Sequence, residues 1–302
     1  MKRVIFIVLA FVVLQACTKD NSHFREGLLS FGIAGGEGVM VQTRAGDDDV
    51  LRSKATAALP CGDYSNFIVN AGSAGVGNDL IGGAVFSDVE NEKFIVKEGR
   101  YEASAYNITE QEAHPAAGFG SVRYYGVKYF DVTAGELTSV TIPCAITNSI
   151  VSVVVDENFL KAFDYNETTI TVSTDALGSE RPLSFTAENG YLLKSGDAAA
   201  TTPDAAKSAF YPAETYLYLT IKAKLNSLGG NGAVKTYSYK GDLSADGATV
   251  KTTAATWHKI VISADLSNAP QGITIKVGQK QETISNGISI NGYNGGSLTE
   301  DQ

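Results

Sequence analysis

Histidine, cysteine, methionine and tryptophan are scarce in this chain: three, three, two and one among 302 residues. His23, His114 and His258 stand far apart, and none falls in a His-x-x-x-His or Cys-x-x-Cys spacing, so no metal-binding frame is present. The Gly-x-Ser-x-Gly, phosphate-loop and zinc-protease patterns are missing too, which leaves hydrolytic and nucleotide chemistry without a starting residue. No enzymatic activity, cofactor or metal is expected. Charge is sparse at 19% of residues, and its balance is acidic, −9. Without a Lys/Arg stripe the chain lacks the footprint that phosphate neutralisation requires, and no nucleic-acid partner is expected.

The one long apolar run, Val4 to Leu14, is too short to span a bilayer as a permanent helix. Lys2 and Arg3 precede it and Leu14-Gln15-Ala16-Cys17 follows, which is the layout of a signal peptide ending in a bacterial lipobox. A Leu at −3, a small residue at −1 and a thiol at Cys17 are what diacylglycerol transfer and cleavage need. Residues 1–16 are thus expected to be removed, and Cys17 to carry acyl chains, each buried CH₂ contributing about 0.8 kcal/mol to membrane attachment. Cleavage takes away Lys2 and Arg3 and no acid, which moves the charge from −9 to −11. The polar stretch Thr18 to Arg25 reads as a tether between lipid and fold.

The rest of the chain has Gly, Thr, Val and Tyr in short alternating runs, which favours strands over long helices. Leu28 to Ile33 and Val39 to Thr43 read as two strands flanking a glycine-rich Ala34 to Gly38 and compatible with a hairpin. Arg44 to Asp49 reads as an exposed acidic loop. Strand signals then recur at Phe67–Asn70, Ile81–Phe86, Phe94–Val96, Tyr101–Tyr106, Tyr124–Val132, Ser139–Thr147 and Ile150–Val155. Asp156 before Phe159, Leu160 and Phe163 predicts a short capped helix, after which Ile170–Ser173 resumes the pattern. The stretch Lys194 to Lys207 reads as a loop. Leu217, Leu219, Ile221, Ala223 and Leu225 alternate with polar or aromatic residues, the cleanest strand signal in the chain. Val234–Lys240, Trp257–Ser263, Ile273–Val277 and Ile284–Ile290 complete a second set. The expected fold is all-β, two consecutive β-sandwich domains. Their expected division is residues 17–44 as tether and N-terminal strand, 45–175 as the first sandwich, and 176–302 as the second with a polar tail.

Few residues invite chemistry. Asp47-Asp48-Asp49 lacks the spaced ligands of a calcium loop and reads as solvated. Gly72 to Gly77 shares only glycine content with a phosphate loop and reads as a turn. Tyr124-Tyr125, Tyr129-Phe130, Tyr237 and Tyr239 have two readings, core or cross-strand packing, or platforms for sugar rings. Cys61 and Cys144 form an even pair in an oxidising compartment and are open to two states, a disulfide or two buried thiols.

Several of these segments together resemble the fimbrillin-like surface lipoproteins of Bacteroidota, the subunits of type V pili. The resemblance rests on the lipobox Leu14 to Cys17, Val41 to Ala45, Leu59 to Tyr64, Tyr124-Tyr125-Gly126, the turn Phe130 to Glu136, and Val140 to Val155. It covers most of residues 17–175 and is weaker beyond. It implies transthyretin-like, Greek-key sandwich domains and a lipidated precursor at the outer-membrane surface. It further implies cutting by an arginine-specific protease, with Arg44-Ala45 as the bond matched here and Arg52 as a second arginine in the same stretch. Removal of the N-terminal strand would then open a groove that another subunit's strand fills. The implied partners are other fimbrial subunits by β-strand addition, the outer membrane through the lipid, and host protein or glycan. A stalk subunit also needs a donor strand, for which Ile284 to Ile290 or the tail after it is the candidate; if that strand belongs to the second sandwich, a tip, anchor or accessory role is implied. A glycan-binding lipoprotein of a polysaccharide-uptake system is the alternative function.

Overall fold

The structure, a computed structural model, describes residues 25–35, 63–226, 234–239, 251–265 and 274–283. These form sixteen strands and short helices, an all-β protein. The strands are β1 (Glu26–Gly35), β2 (Ile68–Ser73), β3 (Ile81–Val85), β4 (Phe94–Lys97), β5 (Gly99–Tyr106), β6 (Tyr124–Val132), β7 (Leu137–Ile146) and β8 (Asn148–Val155). They continue as β9 (Thr169–Ser173), β10 (Leu183–Thr186), β11 (Leu192–Lys194), β12 (Ala209–Pro212), β13 (Tyr218–Lys224), β14 (Val234–Tyr239), β15 (Thr256–Asp265) and β16 (Thr274–Thr283). The α-helices are α1 (Phe86–Val89), α2 (Glu110–Ala113), α3 (Glu157–Ala162) and α4 (Ala198–Thr201).

The first sheet runs β3-β2-β5-β6-β7-β1-β4. Only Tyr124↔Ile146 and Tyr125↔Ala145 join β6 to β7, so the sheet turns a corner there and closes on itself as two layers. Gly126 permits that corner, because a Cβ on it would lie 2.1 Å from the Pro143 carbonyl oxygen. Between the layers sit Leu29, Phe31, Phe67, Val69, Tyr101, Val140 and Ile142, all buried. All but Phe67, which directly precedes β2, come from the inward set of an alternating strand.

The second unit pairs a β10-β9-β13-β14 sheet with one in which β8 has β15 parallel on one side and β11 and β12 on the other. Every residue of β8, Asn-Ser-Ile-Val-Ser-Val-Val-Val, is buried. That follows from its neighbours: Val151, Val153 and Val155 enter the second core, while Ile150 on the opposite face enters the first. A strand covered on both faces reads as a continuous apolar run, not an alternating one. Helix α3 begins at Asp156, whose carboxylate accepts from the Phe159 N–H at 2.8 Å, the expected cap.

The chain passes between units through one residue, Thr147, which separates β7 from β8. β8 and β9 both lie in the second pair of sheets. Turn residues mark where strands end but not which sheet the next strand joins, and β8 finds its partners more than 30 residues later, at β11, β12 and β15. The junction is apolar, with Ile150, Phe210 and Trp257 packed into the first core. Trp257 Nε1 donates to Ser152 Oγ at 2.9 Å, and Ser152 Oγ lies 2.8 Å from Ser208 Oγ, so the buried polar atoms are paired. Strands β10, β11 and β12, with α4 inside the expected loop Lys194 to Lys207, are additions to the sequence reading.

Candidate functional site

The feature that sets this fold apart is the seat of its first strand. β1 is an interior strand, parallel to β7 over Leu28↔Leu137 to Gly35↔Cys144 and antiparallel to β4 over Glu26↔Lys97 to Leu29↔Phe94. Its sequence, Glu-Gly-Leu-Leu-Ser-Phe-Gly-Ile-Ala-Gly, alternates so that Leu29, Phe31 and Ile33 turn inward. Leu29 and Phe31 are buried, Ile33 packs against the same core from a half-buried position, and the Phe31 and Phe94 rings meet edge to face at 5.7 Å. Burying a side chain of this size stabilises by about 1.5–3 kcal/mol. Gly27 allows the entry: a Cβ there would meet the Thr133 carbonyl oxygen at 2.5 Å. Backbone bonds clamp that end, with Gly135 N–H donating to Glu26 O and Leu28 N–H to Glu136 O, both at 2.8 Å.

Strand β4 has no ladder partner except β1 among the described residues. Taking β1 out would therefore unpair β4 and one edge of β7 together and uncover Phe94, Val140 and Ile142. The resulting slot is apolar along its floor and lined by unpaired backbone, and it accepts a strand running parallel to β7.

Of the residues singled out from sequence, Cys17, Arg44, Ala45 and Cys61 lie outside the described residues, as do His23, Asp47 to Asp49 and the second arm of the expected N-terminal hairpin. Cys144 lies on β7 facing the core, with its Sγ 3.6 Å from the Ala105 carbonyl oxygen. Of Gly72 to Gly77, Gly72 and Ser73 end β2 and the rest begin the turn toward β3, where Asp79 accepts from Ser73 Oγ at 2.8 Å. The aromatic residues separate by strand face. Tyr124 is buried, and Phe130 stacks on Tyr101 at 5.9 Å, whereas Tyr125 is half-buried and Tyr129 is 55% exposed. Tyr106 neighbours Tyr125 on the same outer face. Tyr237 and Tyr239 lie on β14.

His258 is fully buried on β15, and its Nε2 accepts from the Thr253 N–H at 3.2 Å. Burial pushes its pKa down to about 4, so it is neutral at physiological pH. His114 ends α2, with Nδ1 3.0 Å from Glu110, which also meets Arg123 at 3.2 Å. Burial lowers its pKa, and Glu110 partly opposes this. Nearby Arg181 lies over the Tyr211 ring at 4.7 Å and donates from Nε to Pro115 O at 3.2 Å. This ties the α2 loop to the second unit. Sequence reasoning missed Arg181 and Tyr211, since nothing local links two positions thirty residues apart. Among the described residues no three His, Cys, Asp or Glu side chains gather as a metal site, and no helix is long and apolar enough to cross a membrane.

The sequence model of the family described as Domain of unknown function (DUF4493) matches residues 25–291. The chain belongs to that family. No curated protein sequence matches it. Among solved structures, this DUF4493 chain is similar to a candidate cell adhesion protein from Bacteroides eggerthii DSM 20697, with 11% identity and a TM-score of 0.47 over 88% of this chain and 98% of that one. It is similar to the fimbrial anchor protein Mfa2 from Porphyromonas gingivalis at 12% identity and a TM-score of 0.38, over 84% of this chain and 96% of that one. For the C-terminally truncated tip fimbrial protein Mfa3 from the same organism the values are 8% and 0.35, over 70% of this chain and 92% of that one. These structural neighbours are adhesion and fimbrial proteins; likenesses of this strength leave the role to be argued from the chain itself.

Proposed function

We propose that this protein is a cell-surface lipoprotein of the fimbrillin type, a structural or adhesive subunit that receives another subunit's strand in place of β1. The observation that supports this most is the interior position of β1, paired on both edges and buried on one face, in a strand close to the proposed lipid anchor at Cys17. Cutting at Arg44-Ala45, nine residues past the end of β1, would free it from the following chain. An incoming strand parallel to β7 with apolar side chains at alternate positions would restore both the ladder and the burial. The test treats cells displaying the lipidated precursor with an arginine-specific protease, followed by N-terminal sequencing and an unboiled gel. A new start at Ala45 with a high-mass ladder is expected; an intact chain, or a cut chain that stays monomeric, would sink the reading.

A second reading is glycan binding, favoured by Tyr106, Tyr125 and Tyr129 sharing the outer face of β5 and β6. Aromatic rings with polar neighbours such as Glu102 and Ser104 suit sugar faces. Binding on a glycan array that disappears in Tyr125→Ala and Tyr129→Ala would place this reading first.

A further inference from the structure

The outer face of the β7-β1-β4 layer is polar or small along most of its length, with Ser30 beside Ser139 and Gly32 beside Thr141. At the end where the chain enters, an apolar row interrupts it. Leu28 lies between Ile95 on β4 and Leu137 on β7, and the three are 38%, 68% and 49% exposed. Neighbouring strands are about 4.8 Å apart, so the row crosses roughly 10 Å of the face. Alternation puts these positions outward, where apolar side chains serve no core. Val76, 72% exposed, tips the β2–β3 turn at the same end, as the bonds Ala74 N–H to Arg100 O at 3.0 Å and Glu98 N–H to Arg25 O at 2.6 Å show.

We infer that this row is a membrane-contact patch, pressed against the lipid surface in the uncleaved protein; the inference rests on the reading of Cys17 as lipidated. Seven residues separate Cys17 from Arg25, so the eight steps between them span at most about 29 Å of extended chain. The bilayer therefore stays within reach of the end that carries the row. Three side chains are too few to recruit a free protein, but a short tether turns docking into an intramolecular step at high effective concentration. Aliphatic side chains then enter the boundary between headgroups and acyl chains. The rim suits a lipid surface as well: Arg25 pairs with Glu98 at 3.6 Å, and Glu26 faces Lys97 across the ladder, so no block of one sign repels it. A cut at Arg44 would take Leu28 away with the anchor, ending both attachments in one step.

The test reconstitutes the uncleaved, lipidated protein in phosphatidylethanolamine–phosphatidylglycerol vesicles with brominated acyl chains. The single native tryptophan, Trp257, is buried and supplies a constant background. Ile95→Trp and Leu137→Trp report on the row, and Leu177→Trp, at a position 91% exposed in the second unit, is the comparison. Quenching several-fold stronger at 95 and 137 than at 177 is expected. Adding Ile95→Asp to Leu137→Trp should remove most of it with the melting temperature unchanged. The mass of the N-terminal peptide is taken from the same sample. Acylated Cys17 with quenching no stronger at 95 and 137 than at 177 overturns the patch and leaves the anchor standing; an unacylated Cys17 overturns both. Crosslinking of residue 95 to a second copy in place of lipid quenching also overturns the patch, by making the row a subunit contact.

Discussion

Strands β1 and β8 hold the same rank in their sheets, each interior and each parallel to a neighbour, yet they are covered differently. β8 is covered on both faces, feeds both cores and is tied in sequence to β7 through Thr147. β1 is covered on one face, and its outward residues Glu26 and Leu28 are exposed. A sheet can surrender a strand that is buried on one side and tethered at one end after a cut, whereas a strand shared by two cores can leave only when both unfold. The two strands thus differ in how many layers they serve and also in pairing, since β4 covers only Glu26 to Leu29 of β1's second edge.

The comparison can be broken at either strand. Val153→Asp in β8 puts an unpaired charge into the second core and should cost more than about 4 kcal/mol, read as failure to recover folded protein or collapse of the denaturation midpoint. Phe31→Ala in β1 should cost about 3–4 kcal/mol in the uncleaved chain. After cleavage and strand replacement the same substitution should have no effect on the assembled form, because Phe31 has left; a persistent loss would mean that β1 is not exchanged. Acid should act on β8's sheet through His258. Its folded pKa is near 4, below the ordinary 6.5, so its contribution is complete above pH 6.5 and is lost as pH falls toward 4, on the order of 3 kcal/mol in all. The melting temperature should fall across that window, and His258→Gln should flatten part of the fall, with His114 shifted in the same direction. Ser30→Ala removes only an exposed hydroxyl contact of 3.1 Å to Ser139 and should change stability by less than about 0.5 kcal/mol.

How much of this was legible in the sequence depends on where each strand's burial is encoded. β6 and β13 alternate cleanly, and their limits follow from the residues alone; α3 announces itself through Asp156. β10, β11 and β12 are three or four residues long, too short for a period to emerge, and are held in place by partners distant in sequence. β8 was legible as a strand, but its valines do not say which cores it serves. For the candidate site, the inward set Leu29, Phe31 and Ile33 is written in the alternation. That β4 would close the far side of β1 is not, because a four-residue strand separated from β1 by almost sixty residues leaves no local trace. The expectations at Cys17, Arg44-Ala45 and Cys61 rest on the sequence, outside the described residues.

The direction of β1 has a mechanical consequence. A surface protein held by its N-terminal side feels pulling along the axis of its first strand, while the hydrogen bonds to β7 and β4 run across that axis. Such a load shears the ladder, straining many bonds together in place of opening them one at a time. β1 is thus well placed to bear tension, and under the proposed exchange a replacement running parallel to β7 would inherit the same resistance.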